Sequence, residues 1–228
     1  MTTVSALRRY PVKAMGGEPL DVATLDARGV TGDRWYAVRD ADGRFASLKD
    51  TRRFRRRDGV VAYTAATASD GSVRVTHADG TWTVGDPALD AHLGAALGVP
   101  VTVAPEGDVA HHDDGRVSLV GTASLAWCAR RFGGSGDPRR LRANVVLDTD
   151  EPFVEEGWVG RELRVGTAVL RVVGRVERCR TVDVAQDGAE PGAPWLRPLG
   201  AERDLCLAVY ADVVEPGTVA RGDALRLA

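Results

Sequence analysis

The sequence predicts a mainly β fold with a few short helices, and three observations carry that prediction. Turn pairs recur at short intervals: Gly16-Gly17, Asp42-Gly43, Asp70-Gly71 and Asp79-Gly80. Short runs rich in Val, Thr, Tyr and Trp lie between them, the pattern of strands joined by tight hairpins. Only two segments space their apolar residues as a helix does.

Taken in order, Trp35–Arg39 and Arg44–Ser47 flank Asp42-Gly43, and Val60–Thr67 and Ser72–His77 flank Asp70-Gly71, so each reads as a hairpin. The first helix starts at Asp86-Pro87, an N-cap followed by proline at the first helical position. Leu89, Leu93, Ala96 and Leu97 follow on one face until Gly98. Thr122 is the expected cap of a second helix, with Leu125, Cys128, Ala129 and Phe132 on one face and Gly133-Gly134 at its end. Strand patterns return at Ala143–Asp148, Glu162–Val165, Ala168–Val176, Leu205–Val214 and Ala224–Leu227. Gly133–Pro138 and Gln186–Pro194 read as loops. So many short strands suggest sheets closed as barrels, which removes their edges.

At 228 residues the chain is long enough for one large domain or two small ones. A boundary is expected near Pro105–Gly107, between the first helix and the run His111-His112-Asp113-Asp114. Lys+Arg is 30 and Asp+Glu is 32, for a net charge of −2. Basic residues are not concentrated in either half, so a bulk affinity for nucleic acid or an anionic membrane is not expected. Cys128, Cys179 and Cys206 are too few and too scattered for a disulfide framework, and no CxxC pair suggests a zinc ribbon. The N-terminus has no apolar signal region, and no apolar run approaches membrane-spanning length. The expectation is a cytoplasmic protein.

Several residues invite chemistry. Cys179 follows a strand-like run within Glu177-Arg178-Cys179-Arg180. A thiolate is both a nucleophile and a soft metal ligand, and flanking guanidiniums favour it. The alternative is a small hydrophobe at a strand end. Cys128 and Cys206, on apolar faces, read as core. Lys13, one of only two lysines, follows Tyr10-Pro11-Val12 beside two glycines. Arg34 ends the turn Gly32-Asp33-Arg34, where its fork of donors suits phosphate. Each also reads as a plain surface cation. Arg142 and Asn144, two residues apart at a strand entry, would point to one face and grip one polar ligand, or form a surface pair. The basic run Thr51–Arg57 reads as a solvated face or the rim of an anion site. Adjacent residues in His111-His112-Asp113-Asp114 face opposite ways on a strand, which argues against one shared metal. Trp158 reads as packing.

The ordered set of motifs resembles a known family. Tyr10-Pro11-Val12-Lys13, Gly29-Val30-Thr31-Gly32-Asp33-Arg34-Trp35, Arg142-Ala143-Asn144-Val145-Val146-Leu147, Pro152-Phe153-Val154-Glu155-Glu156-Gly157-Trp158, Glu177-Arg178-Cys179 and Ala208-Val209-Tyr210 follow its sequence signature in order, with Gly217 and Gly222-Asp223 after them. The chain resembles MOSC-domain proteins (MOSC names the molybdenum cofactor sulfurase C-terminal domain) that carry an N-terminal MOSC β-barrel extension, among them the mitochondrial amidoxime-reducing component. The resemblance implies a β-barrel-like MOSC fold, with residues 1–105 as the N-terminal β-barrel domain and 106–228 as the MOSC domain.

It also implies molybdenum cofactor, a molybdopterin that carries a phosphate. Carried over, Lys13 and Arg34 hold that phosphate and Arg142 and Asn144 contact the cofactor. Cys179 binds molybdenum and is the catalytic residue, and Ser124 contributes ahead of the second helix. The implied activity is reduction of N-hydroxylated or N-oxygenated small molecules with electrons from a separate redox protein, since the sequence has no iron–sulfur cysteine cluster. The alternatives are a sulfur carrier with a persulfide on Cys179, a non-catalytic cofactor-binding module and, more remotely, a cysteine hydrolase. Two departures bear on the site. Ala14 stands where the family usually has Ser, and Val182 and Asp183 stand where relatives often have a Thr-Thr pair.

Overall fold

The computed structural model describes residues 2–228. Its strands are β1 (Thr3–Arg9), β2 (Glu18–Leu20), β3 (Val22–Asp26), β4 (Gly29–Val30), β5 (Tyr36–Asp40), β6 (Phe45–Ser47), β7 (Phe54–Arg56), β8 (Thr64–Thr67), β9 (Val73–His77), β10 (Gly80–Thr83), β11 (Val101–Pro105), β12 (Val117–Gly121), β13 (Val145–Asp148), β14 (Glu162–Val165), β15 (Ala168–Glu177), β16 (Cys206–Glu215), β17 (Gly217–Ala220) and β18 (Leu225–Leu227). Three short α-helices complete it: α1 (Pro87–Leu97), α2 (Thr122–Phe132) and α3 (Leu196–Arg203). The fold is mainly β, as the sequence predicts.

The largest sheet runs β18-β14-β15-β16-β12-β13-β1-β2. All its pairings are antiparallel except β12 with β13. Alternation decides its two faces. Val117 and Leu119 of β12, Val145 and Leu147 of β13, and Val209 and Ala211 of β16 point into one core with Ala23, Leu25, Val30 and Val219. Val120, Val146 and Leu207 point the other way, onto Leu125 and Cys128 of α2 and Leu199 of α3. A separate core around Val12, Val38, Tyr63, Val75, Leu89 and Leu93 fills the region built from β5–β11 and α1. The first thirty residues therefore contribute to the core of the second half: β1 pairs with β13 and β3 pairs with β17.

Both expected hairpins form, but the first strand of the second begins at Thr64 rather than Val60, because Asp58–Ala62 is a 3₁₀ turn. Helix α1 has its expected ends: Asp86 accepts a hydrogen bond from Ala88 N at 2.8 Å, and Gly98 closes the helix in the left-handed conformation. Helix α2 starts differently. Gly121 is its cap and Thr122 is already helical; the Thr122 hydroxyl instead donates to Asp148 and accepts from Thr149 N. Gly121 has no room for a side chain, because a Cβ there would stand 2.6 Å from the Thr149 hydroxyl.

Helix α3 falls at the end of the stretch read as a loop. Asp183 accepts from the backbone N–H groups of Trp195 and Leu196 and so caps it from another segment. Cys128 is fully buried, and burial pushes its thiol up to about 12. Cys206, expected in the core, is only partly buried at the start of β16, its thiol donating to Asp204 O. Trp158 packs into the core of the large sheet.

Candidate functional site

A polar cleft opens where β12, β13, β15 and β16 meet the Tyr10–Ala14 turn and the loop around Lys49. Lys13, Arg34, Arg142, Asn144 and Cys179 all line it, although they come from four distant stretches of sequence. Lys49, Asp113, Arg178, Thr181 and Tyr210 line it as well.

Lys13 is buried and donates to His111 O at 2.7 Å, with Asp113 at 3.3 Å. Lys49 reaches the same Asp113 oxygen at 3.0 Å. Burial draws the Lys13 ammonium down to about 8, although the Asp113 charge opposes that fall. Burial would raise the Asp113 carboxyl, but Lys13 and Lys49 outweigh it and hold the group well below the usual carboxylate range. Two lysines thus make a dicationic socket, filled here by a carboxylate of the chain itself.

The Gly32-Asp33-Arg34 turn is built by left-handed backbone at Gly32 and Arg34. Asp33 is fully buried and accepts from Tyr10 N at 2.7 Å. It pairs with one arm of Arg34, and the other arm donates to Arg142 O at 3.2 Å. Burial opposes ionisation of Asp33, yet the Arg34 charge and the His112 and Tyr10 hydrogen bonds hold it down at about 2. Arg142 lies over the Tyr10 ring at 4.3 Å and Arg34 at 5.0 Å, so one aromatic ring engages two guanidiniums. Burial and then the Arg34 charge lower Arg142 to about 10. Its backbone is left-handed, and β13 begins only at Val145. The expected strand geometry for Arg142 and Asn144 therefore does not hold; a short 3₁₀ turn over Pro138–Leu141 delivers Arg142 instead.

The Asn144 side chain is already engaged. It accepts from Ser118 N and Oγ and donates to Arg8 O, tying β1 to β12. Its place in the cleft wall is that of a positioning residue. Ser124 does not reach the cleft. It is fully buried, donates to Glu155 at 2.8 Å and accepts from Phe153 N at 2.7 Å, so it braces the Pro152–Trp158 segment.

Cys179 is partly exposed, with its sulfur 3.1 Å from the Thr181 hydroxyl. Of its two flanking arginines only Arg178 turns to the cleft; Arg180 pairs with Asp58. Val182 and Asp183, where relatives often carry hydroxyls, face elsewhere: Val182 is in the core and Asp183 caps α3. Thr181 supplies the hydroxyl instead.

The His111-His112-Asp113-Asp114 run forms a loop whose side chains turn to different partners. His111 Nδ1 meets Arg34 O at 3.0 Å, His112 faces Asp33 at 3.5 Å, and Asp113 turns to the lysines. Arg53, from the basic run, donates to the carbonyls of Ala110, His112 and Asp113 and anchors that loop at the rim. Lys49 and Thr181 were missed in the sequence because neither lies in a motif, and Asp113 was weighed only as a metal ligand, not as a partner of the lysines. Only the scarcity of lysine could have drawn attention to Lys49.

A family model described as MOSC domain matches residues 106–226, and one described as MOSC N-terminal beta barrel domain matches residues 1–92. The chain belongs to the MOSC domain family. It is 36% identical over 61 residues to a molybdenum cofactor sulfurase from Danio rerio, a match covering 27% of this chain and 7% of that protein. Among solved structures, YuaD from Bacillus subtilis is similar in fold at 14% identity and a TM-score of 0.51, covering 100% of this chain and 96% of the other. YiiM from Escherichia coli aligns at 12% identity and a TM-score of 0.45, over 100% of this chain and 68% of the other. Among the described residues no helix of this MOSC protein is long and apolar enough to cross a membrane.

The cleft's donors fit a molybdenum–pterin cofactor. Arg142 Nη2 and Arg178 Nε are buried without hydrogen-bond partners, so the wall offers unfilled donors to a ligand rich in acceptors. A soft sulfur stands in the same cleft as the dicationic socket.

Proposed function

We propose that this MOSC protein binds molybdenum cofactor in the cleft and serves as an oxidoreductase for N-oxygenated small molecules. The observation that supports it best is the convergence of Lys13, Arg34, Arg142 and Cys179 on one cleft. Lys13 and Arg34 hold the cofactor's phosphate, with Lys49 as a third cation. Arg142 and Arg178 direct free N–H donors at the pterin, and Asn144 fixes the wall behind them. Cys179 presents the thiolate ligand, with the Thr181 hydroxyl beside its sulfur. The bound group supplies two-electron redox chemistry at the metal. Reducing an N–OH takes two electrons and two protons and releases water. The electrons come from a separate donor protein, and the site lies in the cytoplasm.

Expression in a cofactor-producing host, followed by molybdenum and pterin assays and turnover of an amidoxime with a reduced viologen dye, tests this reading. Stoichiometric molybdenum with turnover, both lost in Cys179→Ser, is the expected result. Molybdenum without turnover of any N-oxygenated compound makes the chain a binding module. A Cys179 persulfide on metal-free protein makes it a sulfur carrier, the reading favoured by the short match to the sulfurase.

A further inference from the structure

Outside the cleft, three elements bring metal-binding side chains together. His77 ends β9, Asp79 lies in the turn to β10, and His92 sits on α1. Asp79 Oδ2 is 3.0 Å from His77 Nδ1 and 4.0 Å from His92 Nε2. One ligand atom from each residue lies within 4.8 Å of the other two. Both rings are held in place: Trp82 stacks on His92 at 4.2 Å between centroids and Tyr63 stacks on His77 at 4.6 Å.

Two details point to a cation. His92 Nε2 is buried and has no hydrogen-bond partner, a costly state for a ring nitrogen. The Asp79 carboxylate stands 3.0 Å from His77 Nδ1, so its negative charge faces that ring. A carboxylate beside one imidazole and within reach of a second, unpartnered imidazole nitrogen is a donor set that a metal ion can take up.

We propose that His77, Asp79 and His92 bind a divalent transition-metal ion, zinc foremost, with water completing the shell. Two imidazoles and one carboxylate suit zinc, whereas calcium and magnesium favour all-oxygen sites. Neighbouring ligands in a tetrahedral zinc shell stand about 3.3 Å apart. Asp79, 66% exposed, is free to swing the 4.0 Å towards His92, and small rotations of the two rings must close the gap between them. Because His92 is on a helix and His77 on a strand, the ion would pin α1 to the β8–β10 sheet. This role is independent of the cofactor cleft.

The test uses the full chain, stripped with a chelator and titrated with Zn²⁺ by calorimetry and with Co²⁺ by its visible d–d absorption. One equivalent should bind, with a tetrahedral Co²⁺ spectrum that persists in Cys179→Ser. Zn²⁺ should raise the melting temperature. Asp79→Ala, in an exposed turn, should weaken binding by at least about tenfold, more than loss of an outer-shell partner would, and His77→Ala/His92→Ala should abolish it. The site is ruled out if the wild type binds no ion, if Asp79→Ala binds as tightly as wild type, or if the Co²⁺ signal disappears with Cys179→Ser.

Discussion

Lys13 and Asp113 are 100 residues apart in sequence and 3.3 Å apart in the fold. Lys49 closes on the same carboxylate oxygen from the other side. On the proposed function, the chain places its own anion where the cofactor's phosphate binds, and a phosphate entering the socket must displace Asp113.

Asp113→Asn keeps the shape and removes the competing charge. A charge-assisted hydrogen bond contributes roughly 1.5–3 kcal/mol, so affinity for a phosphomonoester should rise about tenfold or more near pH 6.5. Calorimetric titration of wild type and variant checks it. Equal or weaker affinity in the variant would mean that Asp113 does not compete for the socket.

The pH dependence of binding follows from Lys13. Burial draws its ammonium down to about 8, with Arg34 and Lys49 assisting and Asp113 opposing. Below that value Lys13 is charged; as pH rises through it the charge is lost and the phosphate loses a partner. The phosphomonoester itself does not titrate there, its second ionisation lying near pH 6. Affinity should fall by up to about tenfold per pH unit above 8. The stability linkage runs the other way. A lysine depressed in the fold makes its charging penalty felt fully below about pH 8, and that penalty is relieved as pH climbs towards the unfolded lysine value of about 10.4. Lys13→Arg should flatten the binding profile, and a flat wild-type profile would remove Lys13 from the phosphate site.

Asp33 organises the arginine side of the cleft. Its carboxylate is held at about 2 against the opposing effect of burial, through Arg34, His112 and the Tyr10 N–H. A depressed carboxylate stabilises the fold above its unfolded value, and that contribution is lost as pH falls from about 4 towards 2. Asp33→Asn should cost about 2 kcal/mol at neutral pH, with the difference from wild type shrinking in acid. Denaturant unfolding at several pH values measures it; a constant gap across the acid range would contradict the ion-pair account.

Ser124→Ala separates bracing from binding. Losing the bonds to Glu155 and Phe153 N in a buried site should destabilise the protein by roughly 1–3 kcal/mol. Phosphomonoester affinity should stay at the wild-type value. A loss of affinity with unchanged unfolding would return Ser124 to the cofactor site.

The sequence by itself determined most of the local structure. Tight turns, the Asp86-Pro87 cap, Gly98 and alternating apolar strands act over a few residues, so both hairpins, α1 and, apart from β17, the strands from Val145 onward were legible. The motif order also pointed to the family and nominated Lys13, Arg34, Arg142 and Cys179, all of which line one cleft. Only the tertiary structure decided what depends on contacts between distant segments. Helix α3 owes its start to Asp183, twelve residues before Trp195 and outside any local capping pattern. Ser124 faces Glu155 rather than the cleft because of how the Pro152–Trp158 segment packs on α2. Lys49 and Thr181 carry no motif, Asp113 drew notice only as a possible metal ligand, and the roles of all three exist only once the sheets bring separate loops to one place. Periodicity and turn chemistry are local; charge pairing and capping across the fold are not, and no spacing along the chain encodes them.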